Sequence, residues 1–253
     1  MTDDAPTSTD GQDRLAGLIE AVEVELLTAA TVHGGDAVLD LATGAGTLAL
    51  KAATLGADVT GIDSDEPLLE KARFDAEDAN LAVTFESGSV EYLPYDDAAF
   101  DVLLSNFGLV WAPDHANVAL ELARVARPGA RLAFTAWKPN PKLGELYRSF
   151  TEEPVDGREA YEWGREDHVE DMLGEDWELE YQDGTVWVDA ASGEELWSIF
   201  SQASPPIQSV LARLDESRAE EFHRAFVELY EEYRAGDAIR APRRYLLVTG
   251  RRR

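Results

Sequence analysis

The chain has 253 residues, 45 % of them hydrophobic, enough to bury the core of one α/β domain with a helical insertion and too few for two catalytic domains. It carries 50 Asp plus Glu against 22 Lys plus Arg, a net charge of -28, and no cysteine. This excludes disulfides, thiolate zinc sites and cysteine nucleophiles, and it disfavours binding of nucleic acid.

In chain order, residues 1–12 are rich in Asp, Thr, Ser and Gly and predict a disordered lead to a single domain over 13–253. Leu15, Leu18, Ile19, Val22, Leu26 and Leu27 recur mostly at spacings of three and four, which predicts a helix from Arg14 to Ala30 ending at Gly34-Gly35. Short apolar runs then alternate with helical stretches, the signature of βαβ units and a parallel sheet. Strands are expected at Ala37 to Ala42, Ala57 to Asp63, Ala82 to Glu86, Phe100 to Asn106 and Arg131 to Trp137, with a helix from Ala116 to Ala126 stopped by Arg127-Pro128-Gly129. Beyond Pro139 and Pro141 the pattern loosens. Strands are expected at Trp177 to Tyr181, Thr185 to Val188 and Arg244 to Thr249, and helices at Glu194 to Ser201 and Ala219 to Arg234.

No apolar run approaches the roughly 20 residues of a membrane span, and Met1 to Asp13 is acidic rather than basic and then apolar. The expectation is a cytoplasmic protein with no membrane insertion. His33, His115, His168 and His223 show no ligand spacing, so no metal site is expected. In molar salt the Debye length falls to about 3 Å, so the acidic surface would stay hydrated while its self-repulsion is screened. The composition therefore predicts a halophilic, salt-adapted source.

The central signal is Val38-Leu39-Asp40-Leu41-Ala42-Thr43-Gly44-Ala45-Gly46-Thr47, a strand running into a glycine turn and a helix. Gly44 and Gly46 have no Cβ to keep a ligand from the backbone, and Asp40, at the strand's end, would face the same crevice and suit a cationic group. Asp63 closes the next strand, where a carboxylate can take both ribose hydroxyls; the alternative is a turn or capping residue before a helix from about Pro67. The string Gly44 to Ala49 also fits the dinucleotide pattern GxGxxG/A. Against a nicotinamide oxidoreductase stand the acidic Asp40 and the lack of a YxxxK pair. No GxxxxGK[ST] occurs, which excludes a P-loop.

The order of these motifs resembles class I S-adenosylmethionine (SAM)-dependent methyltransferases, specifically the methyltransferase type 11 or ubiquinone/menaquinone C-methyltransferase-like group. Glu86 to Tyr95 is similar to that group's GDAExLPF segment, Phe100 to Gly108 to its fourth strand and tip, Glu121 to Gly129 to the helix and turn before its fifth strand, and Tyr245 to Arg252 to its last strand. The resemblance implies a Rossmann-like, doubly wound α/β sheet of about seven strands, mostly parallel with an antiparallel last strand. It also implies a cofactor-binding core over 35–138 and a helical insertion, residues 190–240, capping the substrate. It assigns SAM binding to Asp40, Ala42, Thr43, Gly44, Gly46, Asp63, Ser64, Ser89, Val90, Asn106 and Phe107. Ala42 replaces the loop's first glycine, Ser89 the aspartate that contacts adenine, and Ala130 the second glycine of the RPGG turn.

The expected reaction is methyl transfer by in-line displacement to a small organic acceptor, with quinone precursors among the options. His115 is the candidate general base, its alternative being an exposed helix-start residue. Trp111, Trp137 and Tyr147 are candidates for lining the acceptor pocket, their alternative being core packing. A homodimer is compatible with this reading. The other readings are a SAM- or nucleoside-binding sensor without turnover and the NAD(P)-dependent oxidoreductase.

Overall fold

A computed structural model of the chain describes residues 8–151 and 159–253. Helix α1 (Ser8–Ala30) leads into β1 (Ala37–Leu41), α2 (Thr47–Thr54), β2 (Asp58–Asp63), α3 (Glu66–Asp78), β3 (Val83–Ser87) and β4 (Phe100–Asn106). After a 3-10 turn, Leu109–Trp111, come α4 (His115–Val125), β5 (Ala126–Trp137), α5 (Pro141–Phe150), a 3-10 helix at Glu159–Gly164, and α6 (Glu166–Leu173). The chain ends with β6 (Trp177–Ala190), α7 (Gly193–Ala203), α8 (Pro205–Leu211), α9 (Glu216–Glu231), the short β7 (Arg234–Ala235) and β8 (Ala238–Arg252). Short polar residues start several of these helices by accepting otherwise orphaned backbone N–H groups: Asp65 from Leu68, Asp114 from Asn117, Ser192 from Glu195 and Asp215 from Arg218.

The sheet runs β3-β2-β1-β4-β5-β8-β6, with β7 paired to β8. Strands β1 to β5 are parallel, and β8 is wedged antiparallel between β5 and β6. Strand order reverses between β1 and β4, so their carboxyl ends open a crevice there, the place where α/β sheets bind ligands. Helices cover both faces, as a mostly parallel sheet requires. Leu39, Leu41, Leu103 and Phe134 pack on one side with residues of α4 and α6, and Val38, Leu104 and Ala133 on the other with residues of α1, α2 and α3.

Strands β6 and β8 outrun the sheet. Trp137, the last residue of β5, pairs with Tyr245, but β6 and β8 continue pairing out to Ala190 and Ile239. The resulting two-stranded ribbon carries α7, α8 and α9, which close a separate core around Leu196, Phe200, Phe222, Phe226 and Tyr230.

Boundaries differ most from the sequence reading at four places. Helix α1 begins at Ser8 rather than Arg14, inside the expected disordered lead, whose residues 1–7 lie outside the described residues. Strand β5 begins at Ala126: the Arg127-Pro128-Gly129 break is absorbed by a register shift opposite Phe100 and Val102. Strand β6 is continuous through Gly184, where a Cβ would come within 2.0 Å of the Tyr245 ring. Strand β8 starts at Ala238, upstream of the expected Arg244. No described helix is long and apolar enough to cross a membrane.

Candidate functional site

The glycine loop is built by close approaches at two points. Gly46, in the left-handed conformation at φ 79, lies against Phe85 and Ala72, where a Cβ would meet carbon atoms at 2.7 and 2.8 Å. Ala42 is also left-handed, at φ 52, and its carbonyl oxygen lies only 2.6 Å from where a Cβ on Gly108 would stand. The β4 tip and the loop therefore touch, and only glycine fits at position 108. Gly44, at φ 55, has open space where a Cβ would project.

Two carboxylates brace this loop from the strand ends. Asp63, at the tip of β2, accepts the Gly44 N–H through Oδ2 at 2.7 Å and the Asp65 N–H through Oδ1 at 2.9 Å. The helix cap considered for Asp63 falls to Asp65 instead, and Asp63 ties β2 to the loop. Each Asp63 oxygen keeps acceptor capacity for a further donor. Asp40 shares the Val38 side of β1 by strand alternation and is sealed beneath the loop at 1 % exposure, where the Thr43 hydroxyl donates to it at 2.6 Å. Burial pushes its pKa up to about 7, against that hydrogen bond, and the charges of Glu23 and Asp63 push the same way. The sequence expectation of an open Asp40 carboxylate is thus revised to a buried one that shapes the loop.

Glu23, which motif reading passed over, reaches in from α1. It is 2 % exposed, accepts the Thr47 hydroxyl at the start of α2 and pairs with Lys51 at 2.6 Å. Asn106 also fastens α1, donating to the Ile19 carbonyl at 3.1 Å and accepting from Thr135 at 2.8 Å. Next to it Phe107 is left-handed, at φ 59, its N–H held by the Thr135 hydroxyl and its ring stacked on Trp137 with centroids 3.9 Å apart. The tips of β4 and β5 thus form one aromatic wall beside the loop.

A sequence profile described as a methyltransferase domain matches residues 38–129, the stretch from β1 through α4 to the start of β5. The demethylmenaquinone methyltransferase of Thermus thermophilus is 41 % identical over 117 residues, which cover 45 % of this chain and 53 % of that protein. An uncharacterized protein of Mycobacterium tuberculosis is 33 % identical over 183 residues, 67 % of this chain and 66 % of its own length. Residues 38–129 are thus a methyltransferase domain, and the chain is similar to class I SAM-dependent methyltransferases. A geranyl diphosphate methyltransferase solved in complex with SAM superposes with a TM-score of 0.56 at 18 % identity, covering 99 % of this chain and 93 % of that one. The fold agrees as well: the YcgJ protein of Bacillus subtilis superposes with a TM-score of 0.65 at 18 % identity, covering 92 % of this chain and 98 % of that one.

Within this methyltransferase fold the other predicted residues scatter. Ser89 is turned inward on its own loop, its hydroxyl accepting the Glu91 N–H at 3.2 Å, and Val90 is buried in the core. Ser64 is exposed beside Asp63. His115 does not join the Phe107–Trp137 wall. Its Nδ1 contacts His168 Nε2 at 2.9 Å, and its ring lies 5.0 Å from Trp163, among the residues of the α4 and α6 face. Trp111 stands 40 % exposed on the 3-10 turn. Tyr147 sits on α5 against Phe222 of the cap, with ring centroids 6.3 Å apart. Sequence reasoning also missed Arg243, whose guanidinium lies 4.2 Å from the Trp137 ring centroid.

Proposed function

We propose that the chain transfers a methyl group from SAM to a small organic acceptor by in-line displacement, with the cofactor held at the β1 loop and Asp63 and the acceptor beneath the helical cap. The observation that carries this reading is the hydrogen bond from Gly44 N–H to Asp63, which sets the loop and a carboxylate face to face at the sheet's reversal point. The donor set fits the cofactor. Asp63 retains acceptor capacity for ribose hydroxyls, and Gly44 leaves space at the loop.

Bound there, SAM supplies an already activated methyl group, so the protein's part is positioning and exclusion of water. Phe107 and Trp137 offer a flat apolar surface at the strand tips, and α1, which packs against both β4 and α7, ties the cap to the crevice. His115 is occupied with His168 and Trp163, which favours an acceptor that needs no base from this chain.

Calorimetric titration with SAM, S-adenosylhomocysteine and NAD tests the reading. SAM and S-adenosylhomocysteine are expected to bind and NAD to leave no heat. The Asp63→Ala variant should lose roughly 1.5 to 3 kcal/mol of SAM affinity, the range for hydrogen bonds to a charged group. NAD binding without SAM binding would overturn the proposal, and SAM binding without methyl transfer to any acceptor would favour a sensor.

A further inference from the structure

Strand β8 presents alternate residues to the crevice side of the sheet. Ile239, Ala241, Tyr245 and Leu247 on that side are all at most 4 % exposed, yet the position between them, opposite Val186, is Arg243. Its guanidinium lies 4.2 Å from the Trp137 ring centroid and 5.1 Å from that of Phe200 on α7, spanning the junction between sheet and cap. Covering the faces of a guanidinium with rings leaves its N–H donors, which all lie in its plane, free to point outward at the edge.

Those donors meet no described partner. Among the described residues no protein acceptor takes a hydrogen bond from Arg243 and no carboxylate pairs with it, in a chain where acids outnumber bases 50 to 22. Its strand neighbour Arg240 pairs with Asp189, and across the cap Arg218 pairs with Glu221 and Lys142 with Glu232. The positive field of Arg243 also reaches the phenols of Tyr147 and Tyr230, so potential hydroxyl donors stand within its range.

We infer that Arg243 is the anchor for a carboxylate on the methyl acceptor, held edge-on in the guanidinium plane while the acceptor's apolar body lies toward the Phe107–Trp137 wall. With Arg240, Arg218 and Lys142 engaged by acids, one guanidinium matches one negative charge, which selects a monoanionic carboxylate over a doubly charged phosphate. The inference rests on the methyltransferase reading for the identity of the acceptor, but the anion site stands or falls separately.

Benzoate, its neutral isostere benzamide, and phenyl phosphate are the probes, titrated by calorimetry into the parent, Arg243→Met and Arg243→Lys, each with and without saturating S-adenosylhomocysteine. The parent should bind benzoate at least tenfold tighter than benzamide. Arg243→Met should bring benzoate down to the benzamide level while changing S-adenosylhomocysteine affinity less than twofold, and Arg243→Lys should keep part of the preference. Retained cofactor affinity reports that each variant is folded. Equal binding of benzoate and benzamide by the parent, or an unchanged preference in Arg243→Met, would overturn the anchor. Phenyl phosphate binding more tightly than benzoate would overturn the carboxylate assignment. A benzoate preference in a chain that fails to bind S-adenosylhomocysteine would uphold the anion site and sink the methyltransferase reading.

Discussion

Asp40 is a carboxylate held at 1 % exposure beneath the glycine loop. Burial raises its pKa from 3.8 to about 7, so the folded protein holds a proton there that the unfolded chain gives up. The stability contributed by that proton is complete below the unfolded pKa and disappears as the pH climbs through 7. Replacing Asp40 with Asn removes the titration. The variant should gain on the parent by about 2–3 kcal/mol between pH 5 and pH 8 in urea unfolding, at 1.36 kcal/mol per pH unit. Parallel stability curves would show that the carboxylate is ionised inside the fold. At this scale the sequence showed Asp40, Gly44, Gly46 and Asp63 because their spacing after a strand is itself the signal. It did not show which way Asp40 faces, since that depends on Glu23 and Thr43 closing over it. Nor did it show Arg243, because the strand was read from Arg244. Read from Ala238, the interruption of an apolar alternation by a guanidinium would have stood out.

At the scale of elements, the parallel strands were legible because β1, β2 and β4 are mostly buried and read as short, largely apolar runs between helical stretches. The ribbon was not. Gly184 and Pro242 look like strand breaks, but Gly184 makes room for the Tyr245 ring and Pro242 sits in register opposite Trp187. Both are tertiary reasons, invisible to local pattern. The ribbon also predicts how the cap behaves. Phe226, fully buried, packs on Trp197, Phe200 and Tyr230 within a core that the cap shares with the ribbon and with part-buried residues of α5. Truncation to Ala should cost about 3–5 kcal/mol, felt first in the cap. Hydrogen exchange should then quicken across α7, α8 and α9 while β1, β2 and β4 keep their protection. Uniform loss of protection would mean that cap and sheet form one cooperative unit.

Across the whole molecule many of the bases are met by acids: Lys51 with Glu20 and Glu23, Arg124 with Glu121 and Asp97, Arg131 with Asp36. The remaining carboxylates repel one another. Raising KCl from low to molar concentration should therefore raise the melting temperature, and a flat or falling melting point would dismiss the halophilic expectation. All of this hinges on where the nucleoside lies. A crystal structure with S-adenosylhomocysteine tests that most directly: the ribose hydroxyls are expected on the Asp63 carboxylate and the amino acid end along Ala42 to Gly46. A nucleoside bound elsewhere, with Asp63 touching only Gly44 and Asp65, would contradict it.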